Sequence, residues 1–446
     1  MTLSPTNAES NEWMTPDLLR ESWALLSPDD RMDNFRKLPR ADAEELFLSL
    51  DAREHMELIF AHPHAERRSW MRLLPPDDAA DVVQEAPEED REGLLALLDE
   101  PTRKEVTALL AYAEDDAGGL MNPRFVRVRP EMSADEAIAY LRKQARERGL
   151  ETSYYAYVLD ASQRLLGIVS FRNLFAAAGD QKVRDFMRTD ITTVHEEMDQ
   201  ETVSRLISEH DLLAVPVVDA NGIMKGIVTV DDIVDVVEEE ATEDIQKLGG
   251  VAALDDPYLQ TGIVGMIRKR AGWLSVLFLG EMLTATAMAY FEDEIARAVV
   301  LALFIPLIIS SGGNSGSQAS TLVIRAMALG EVRLRDWWRV VRREIASGLV
   351  LGSILGAIGF IRILVWQEIS HVYGEHFLLI GLTIAASLLG VVTFGTIAGS
   401  MLPFVLRRLG LDPATASAPF VATLVDVTGL VIYFTVASVL LTGKIL

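Results

Sequence analysis

Asp426 sits mid-way along an otherwise apolar stretch, Pro419-Phe-Val-Ala-Thr-Leu-Val-Asp-Val-Thr-Gly-Leu430, with Thr423, Thr428 and Gly429 around it. A second polar feature, Ser310-Ser-Gly-Gly-Asn-Ser-Gly-Ser-Gln-Ala-Ser320, interrupts another apolar stretch and carries Gly313, Asn314 and Gln318. Glu281 is a third, in a third stretch. Such groups cost several kcal/mol in hydrocarbon unless they face a water-filled cavity or a polar partner. Carboxylate, hydroxyl, carboxamide and carbonyl oxygens are the ligands of hard cations. Mg²⁺ sheds water reluctantly, so one carboxylate per chain among many neutral oxygens suits the hydrated ion. Competing readings are a close-packing face for 310–320, a buried base paired to Asp426, and an interhelical hydrogen bond for Glu281. Two Asp426 side chains meeting across a symmetry axis would make a two-carboxylate site, which favours a homodimer.

A second concentration of carboxylates lies in a helix expected from Asp232 to about Leu248, with Asp235, Glu238, Glu239, Glu240, Glu243 and Asp244 spread around it. Like charges four residues apart destabilise a helix. The helix is therefore either a solvated face or one that divalent cations must neutralise. The spacing is not that of an EF-hand loop.

The elements that must position these groups divide the chain in two. Its 446 residues have a net charge of −24. Residues 1–270 hold 30 basic and 54 acidic residues, whereas 271–446 hold 11 of each. An acidic half of this strength disfavours nucleic acid and attracts cations. The absence of cysteine excludes disulfides, thiolate zinc and iron–sulfur chemistry. Met1 to Trp13 is polar and acidic, so the reading is no cleavable signal peptide and a cytoplasmic N-terminal half.

Five apolar stretches follow Arg270, at 271–291, 298–324, 345–361, 377–406 and 413–443. About 20 helical residues cross a hydrocarbon core, so five membrane helices are expected. Arginine and lysine cluster before the first stretch (Arg268, Lys269, Arg270), between the second and third (Arg325 to Arg343) and after the fourth (Arg407, Arg408). The positive-inside bias then places the N-terminus inside and the C-terminus outside a multi-pass membrane protein. Pro257 to Arg270 reads as an interfacial helix lying against membrane lipid.

Two internal repeats organise the acidic half. Met121-Asn-Pro-Arg-Phe-Val-Arg-Val recurs 66 residues later as Met187-Arg-Thr-Asp-Ile-Thr-Thr-Val, and Gly167-Ile-Val-Ser returns as Gly226-Ile-Val-Thr. Each unit reads strand, helix, strand, turn, strand, helix. Upstream, Phe35-Arg-Lys-Leu-Pro39 recurs 36 residues later as Met71-Arg-Leu-Leu-Pro75, with Asp42-Ala-Glu-Glu-Leu-Phe47 and Asp78-Ala-Ala-Asp-Val-Val83 in step. Thirty-six residues suggests one helical hairpin per repeat of a small superhelical array. His62-Pro-His64 reads as a solvated loop. The expected domains are a helical array at 17–120, two repeat units at 121–186 and 187–236, a connecting helix at 232–250, and an interfacial helix with the five-helix pore domain at 257–446. The fold class is thus multidomain: all-α superhelical, α+β tandem pair, acidic connecting helix, and all-α membrane domain.

The tandem units resemble CBS domains, a family that often binds adenine nucleotides through a Thr/Ser-x-x-Asp element. Thr229-Val-Asp-Asp232 matches that element and Ser170-Phe-Arg-Asn173 departs from it, so the resemblance implies at most one ATP-type site, at Thr229 and Asp232. The whole order of parts resembles the MgtE family of magnesium channels over about residues 20–446. The strings that carry the resemblance are Asp115-Asp-Ala-Gly-Gly-Leu-Met121, Gly226-Ile-Val-Thr-Val-Asp-Asp-Ile233, Glu240-Ala-Thr-Glu-Asp-Ile245, Ser311-Gly-Gly-Asn-Ser-Gly-Ser-Gln318 and Leu424-Val-Asp-Val-Thr-Gly429. The resemblance implies a homodimer of the bacterial inner membrane whose filter aspartate is Asp426. It also implies acidic Mg²⁺-sensor positions at Asp199, Glu201, Asp211, Asp231, Asp232, Asp235, Glu240, Glu243 and Asp244, faced by Asp115 or Asp116. Ser315 and Ser317 depart from its pattern, which bears on fine selectivity.

The expected function is a passively conducting Mg²⁺ channel that cytosolic Mg²⁺ closes. The rival readings are an ion-coupled secondary transporter of Mg²⁺, Co²⁺ or Mn²⁺ and a non-conducting membrane cation sensor. An enzyme is disfavoured, since no nucleophile–base constellation is present.

Overall fold

The computed structural model describes residues 16–147, 154–254, 258–259, 261–371 and 373–442. The polar start of the chain and Pro257, where the interfacial helix was expected to begin, lie outside the described residues. Two compact units are formed, Met1–Glu238 and Glu239–Leu446.

The first unit opens with short helices: α1 (Pro16–Ser22), α2 (Pro28–Phe35), α3 (Arg40–Phe47), α4 (Ala52–Ala61), α5 (His64–Met71), α6 (Pro76–Glu85), α7 (Glu88–Leu95) and α8 (Glu100–Leu109). Prolines and acidic caps start most of them. The Asp51 carboxylate accepts from the Glu54 amide at 2.7 Å, and Pro39, Pro63, Pro75 and Pro87 precede α3, α5, α6 and α7. From α2 onward, helices start at residues 28, 52, 76 and 100, and between them at 40, 64 and 88. The hairpin step is therefore 24 residues. The 36-residue recurrence read from the sequence spans three helices, one and a half hairpins, because each helix–turn segment occupies 12.

The His62 reading also changes. His62 is 5% exposed, its Nδ1 lies 2.7 Å from the Leu58 carbonyl oxygen, and its ring packs against Phe35 and Trp70. It caps α4 from inside the core, while His64 is exposed at the start of α5.

A short α9 (Ala117–Leu120) leads to two three-stranded units. The first has β1 (Arg127–Val128), α10 (Ala134–Glu147), β2 (Tyr155–Leu159), β3 (Leu165–Ser170) and α11 (Phe171–Ala176). The second has β4 (Val194–His195), α12 (Gln200–Glu209), β5 (Ala214–Val218), β6 (Met224–Thr229) and α13 (Val230–Leu248). In both, the first strand pairs parallel with the second and the second antiparallel with the third. Gly222, at φ +75°, makes the hairpin turn between β5 and β6. The helical array shares one buried core with the second repeat, running from Leu19 and Trp70 through Met121 to Val203, Val217 and Ile233.

The second unit contains α14 (Ile263–Tyr290), α15 (Glu292–Arg297), α16 (Val299–Ala302), α17 (Ile305–Ala328), α18 (Trp337–Ser370), α19 (Phe377–Arg408) and α20 (Ala418–Leu441). Five spans among the described residues are long and apolar enough to cross a membrane. Residues 263–270 do not form a separate interfacial helix but are the first turns of α14. The third span is longer than its 17-residue apolar stretch. At about 1.5 Å per residue, the 34 residues of α18 reach about 51 Å, so its arginine-rich start extends beyond the hydrocarbon.

Glycines set the packing. Gly348, Gly352 and Gly356 recur every fourth residue of α18 and meet Thr393, Leu389 and Ala385 of α19. A Cβ on Gly352 would lie 2.8 Å from the Leu389 Cα. This small-residue seam replaces the hydrophobic drive that lipid removes. Gly352→Leu is expected to lower the melting temperature of the detergent-solubilised chain, at a cost of about 1–3 kcal/mol. An unchanged melt would show that the helices do not meet there.

Candidate cation path and acidic cluster

The polar run of α17 has two faces. Gly312 and Gly316 lie against Val391 and Gly395 of α19 and Val425 and Val421 of α20. Ser317 Oγ donates to the Ala418 carbonyl at 3.2 Å, and Ser320 Oγ to that of Ala416 at 2.9 Å. This face is close packing, the competing reading weighed for the run. The other face leaves Ser310, Asn314 and Gln318 exposed, about one turn apart. Among the described residues, Asn314 Nδ2 reaches only Ser310 Oγ, at 3.4 Å. One helix thus presents both faces, because 3.6 residues per turn places Gly312, Gly316 and Ser320 opposite the exposed stripe.

α17 and α20 run antiparallel, with Gly312 beside Val425 and Gly316 beside Val421. Gly313 faces Ala422, where a Cβ would find ordinary contact at 3.5 Å. That register holds Asn314 near the level of Thr423, one turn from Asp426. Thr423 Oγ1 donates to the Pro419 carbonyl at 3.0 Å, leaving its lone pairs free to accept. Asp426 is half-buried, and its carboxyl group lies within hydrogen-bonding range of Glu281 on α14.

The C-terminal end of α13 is fastened to the start of α20. Lys247 Nζ lies 2.6 Å from Glu243 and 2.7 Å from Asp412, and Leu248 packs with Ile324, Ala414 and Ala416. Of the expected acidic positions on α13, Glu243 therefore already holds a cation of the chain's own. Glu240 and Asp244 are partly buried on the same helix.

In the first unit, α6 brings Asp78 and Asp81 up to α13. Burial raises Asp78 from its ordinary 3.8 to about 6, with Asp231 and Asp235 adding repulsion. Burial also raises Asp81 well above 3.8, reinforced by Asp78, Glu114 and Asp232. Asp232 rises to about 7, chiefly by burial and against the lowering effect of its bond to Thr229. Asp235 rises too, by burial and then by Glu238, Asp231 and Asp51. Among the described residues, no three His, Asp or Glu side chains converge closely enough to hold a metal ion already.

The remaining expected positions gather elsewhere. Asp116 bridges to Asp199 through the backbone, and the Asp115 carbonyl accepts from the Gln200 amide at 2.8 Å. The Asp199 carboxylate caps α12 by accepting from the Glu201 amide at 3.0 Å. Asp211 is exposed, at φ 51° just past that helix. Asp115 and Asp116 thus lie beside Asp199 and Glu201, whereas Asp78 and Asp81 approach Asp231, Asp232 and Asp235. In the sequence, Asp78 and Asp81 stand out only as repeat markers. Their i,i+3 spacing, which places both on one helix face, was the available signal. Thr229 and Asp232 occupy one another: Thr229 Oγ1 donates to Asp232 at 2.7 Å, and the Thr229 amide to the same oxygen at 3.2 Å, as a helix-capping pair.

Sequence comparison extends over both units. The MgtE divalent cation transporter profile matches residues 305–436, the MgtE intracellular N domain 14–115, and the CBS domain 117–180 and 183–239. The magnesium transporter MgtE of Thermus thermophilus is 44% identical over 340 residues, 76% of this chain and 73% of the relative. The chain belongs to the MgtE family of magnesium transporters. MgtE of Enterococcus faecalis is 36% identical over 335 residues, covering 75% of this chain and 71% of its own. A solved cytosolic domain of the Mg²⁺ channel MgtE in complex with ATP is 39% identical, covers 50% of this chain and 90% of that one, and superposes with a TM-score of 0.46. As an MgtE protein with five membrane-capable helices, the chain is a multi-pass membrane protein.

Proposed function

We propose that this MgtE chain is a homodimeric Mg²⁺ channel of the inner membrane, with its N-terminal unit in the cytoplasm, and that cytosolic Mg²⁺ closes it. The observation that carries the reading is the exposed stripe of Ser310, Asn314 and Gln318 alongside the half-buried Asp426. A lipid-facing helix does not present such a stripe. Two copies joined along it would enclose a path lined by neutral oxygens and two Asp426 carboxylates, suited to a hydrated divalent ion. The membrane potential supplies about 4.6 kcal/mol per 100 mV for a divalent cation.

The sensor would be the acidic residues that the compact first unit crowds together: Asp78, Asp81, Asp231, Asp232 and Asp235. Mg²⁺ neutralises them and holds α6 on α13. At low Mg²⁺ their repulsion loosens this packing. Lys247 and Leu248, pinned to the segment before α20, would carry the change towards the pore helix. The acids at Asp115, Asp116, Asp199 and Glu201 form a second group for Mg²⁺. An ATP-type ligand at Thr229 and Asp232 would have to displace their mutual cap.

Bilayer recording from the purified chain tests this. Unitary Mg²⁺ currents are expected, with open probability falling about tenfold or more as cytoplasmic-side Mg²⁺ reaches millimolar levels. Flux without unitary steps, driven by a proton or sodium gradient, would replace the channel with a coupled transporter. Absence of both would leave a sensor.

A further inference from the structure

α14 and α20 pack side by side and run parallel. Their matched contacts climb in step: the Trp273 and Phe420 rings lie 5.6 Å apart, Gly280 abuts Thr423, Glu281 meets Asp426, and Phe291 stacks on Phe434 at 5.0 Å. The approach is close at Gly280, where a Cβ would lie 2.9 Å from Thr423 Cγ2. That absence of a side chain brings the carboxyl groups of Glu281 and Asp426 together. Two facing carboxylates repel unless a proton or a cation sits between them.

One turn beyond Glu281, Thr284 is 8% exposed and is the buried residue of α14. Its Oγ1 has no hydrogen-bond partner among the described residues. Helical hydroxyls in this chain usually donate to the carbonyl four residues back, as Thr286 and Thr423 do. An orphaned buried hydroxyl costs about 1–3 kcal/mol, so a ligand that it could serve is a physical explanation.

We propose that Glu281 is a second acidic residue of the cation path, forming with Asp426, Thr423 and Thr284 an oxygen-lined site for one divalent cation in the α14–α20 seam. Glu281, the one charge in the apolar stretch 271–291 of the sequence, thereby has a function rather than a cost alone. The inference rests on the channel reading of Asp426 and adds α14 to the helices that line the path.

The test is Mg²⁺ entry into liposomes holding the full-length chain, measured against external Mg²⁺ for wild type, Glu281→Gln, Glu281→Asp, Thr284→Val and Asp426→Asn. Glu281→Gln should raise the half-saturating Mg²⁺ about tenfold with maximal flux largely kept, and Glu281→Asp should restore most of the affinity. A role in helix packing alone would lower maximal flux and leave half-saturation unmoved. So would a pair closed only by a proton. An unmoved half-saturation in Glu281→Gln therefore overturns the proposal. Should that variant not fold, Thr284→Val reads the same site: about a threefold rise is expected, and no change overturns it. Loss of flux in Asp426→Asn with normal Glu281→Gln keeps the channel and removes this site. Absence of flux in wild type removes both.

Discussion

Asp426→Asn should abolish Mg²⁺ permeation while leaving a folded protein. The substitution is isosteric, so α20 keeps its packing through Val421, Val425 and Gly429, which are buried against neighbouring helices. The change removes a charge. A unit charge about 5 Å from a divalent ion, at an effective dielectric near 20, contributes roughly 7 kcal/mol before desolvation. If about a third of that survives, the ion's affinity for the path falls about fiftyfold. Liposome uptake of Mg²⁺ measures it. Uptake in Asp426→Asn within about threefold of wild type would place the path elsewhere. Loss of uptake with an unchanged size-exclusion profile and melt would assign the effect to permeation.

Neutralising the acidic cluster should have the second-largest effect, of opposite sign on stability. Asp78, Asp81 and Asp232 all have raised pKa values in the folded chain, Asp78 to about 6 and Asp232 to about 7 from an ordinary 3.8. The folded state therefore binds more protons than the unfolded state across that interval. The stability these groups contribute is complete below about pH 4 and is lost as pH rises through 6 to 7. Wild type without Mg²⁺ should melt at lower temperature at pH 7.5 than at pH 5. Millimolar Mg²⁺ should recover much of the loss, because an ion that binds only the folded form stabilises it by mass action. The triple variant Asp78→Asn, Asp81→Asn, Asp232→Asn should melt about 2–4 °C higher than wild type at pH 7.5 without Mg²⁺. Its melt should respond little to Mg²⁺ and less steeply to pH, and Mg²⁺ should no longer close the channel. Calorimetry or intrinsic fluorescence on the detergent-solubilised chain reads the three melting outcomes, and bilayer recording reads the closure. An equally steep pH response in the variant would detach the cluster from stability. An undiminished response to Mg²⁺ would move the sensor to another group, such as Asp115, Asp116, Asp199 and Glu201.

The class of this protein is legible along the linear chain. Apolar length, the charge contrast between 1–270 and 271–446, and the placing of Asp426 are one-dimensional quantities, because a bilayer imposes a fixed thickness and a fixed charge rule. The paired three-stranded units were legible for a similar reason: strand alternation and the turn at Asn221-Gly222 are local. The array's period was not, since the 12-residue helix–turn step is too short for a pair of matching motifs to show which multiple they sample. His62 looked like a loop residue because its neighbours Pro63 and His64 are polar or turn-forming. Only the packing of Phe35 and Trp70 around it shows a buried cap.

Which carboxylates and hydroxyls meet depends on the fold. Asp78 and Asp231 are separated by most of the first unit in sequence, as are Glu281 and Asp426 in the second. Their proximity depends on helix packing set by distant glycines and core residues. The same is true of the polar run of α17, whose sequence permitted a packing face or a lined path. Packing against α19 and α20 consumes one side of that helix and leaves the other exposed, because a helix presents its residues around a cylinder and its neighbours cover only part of it.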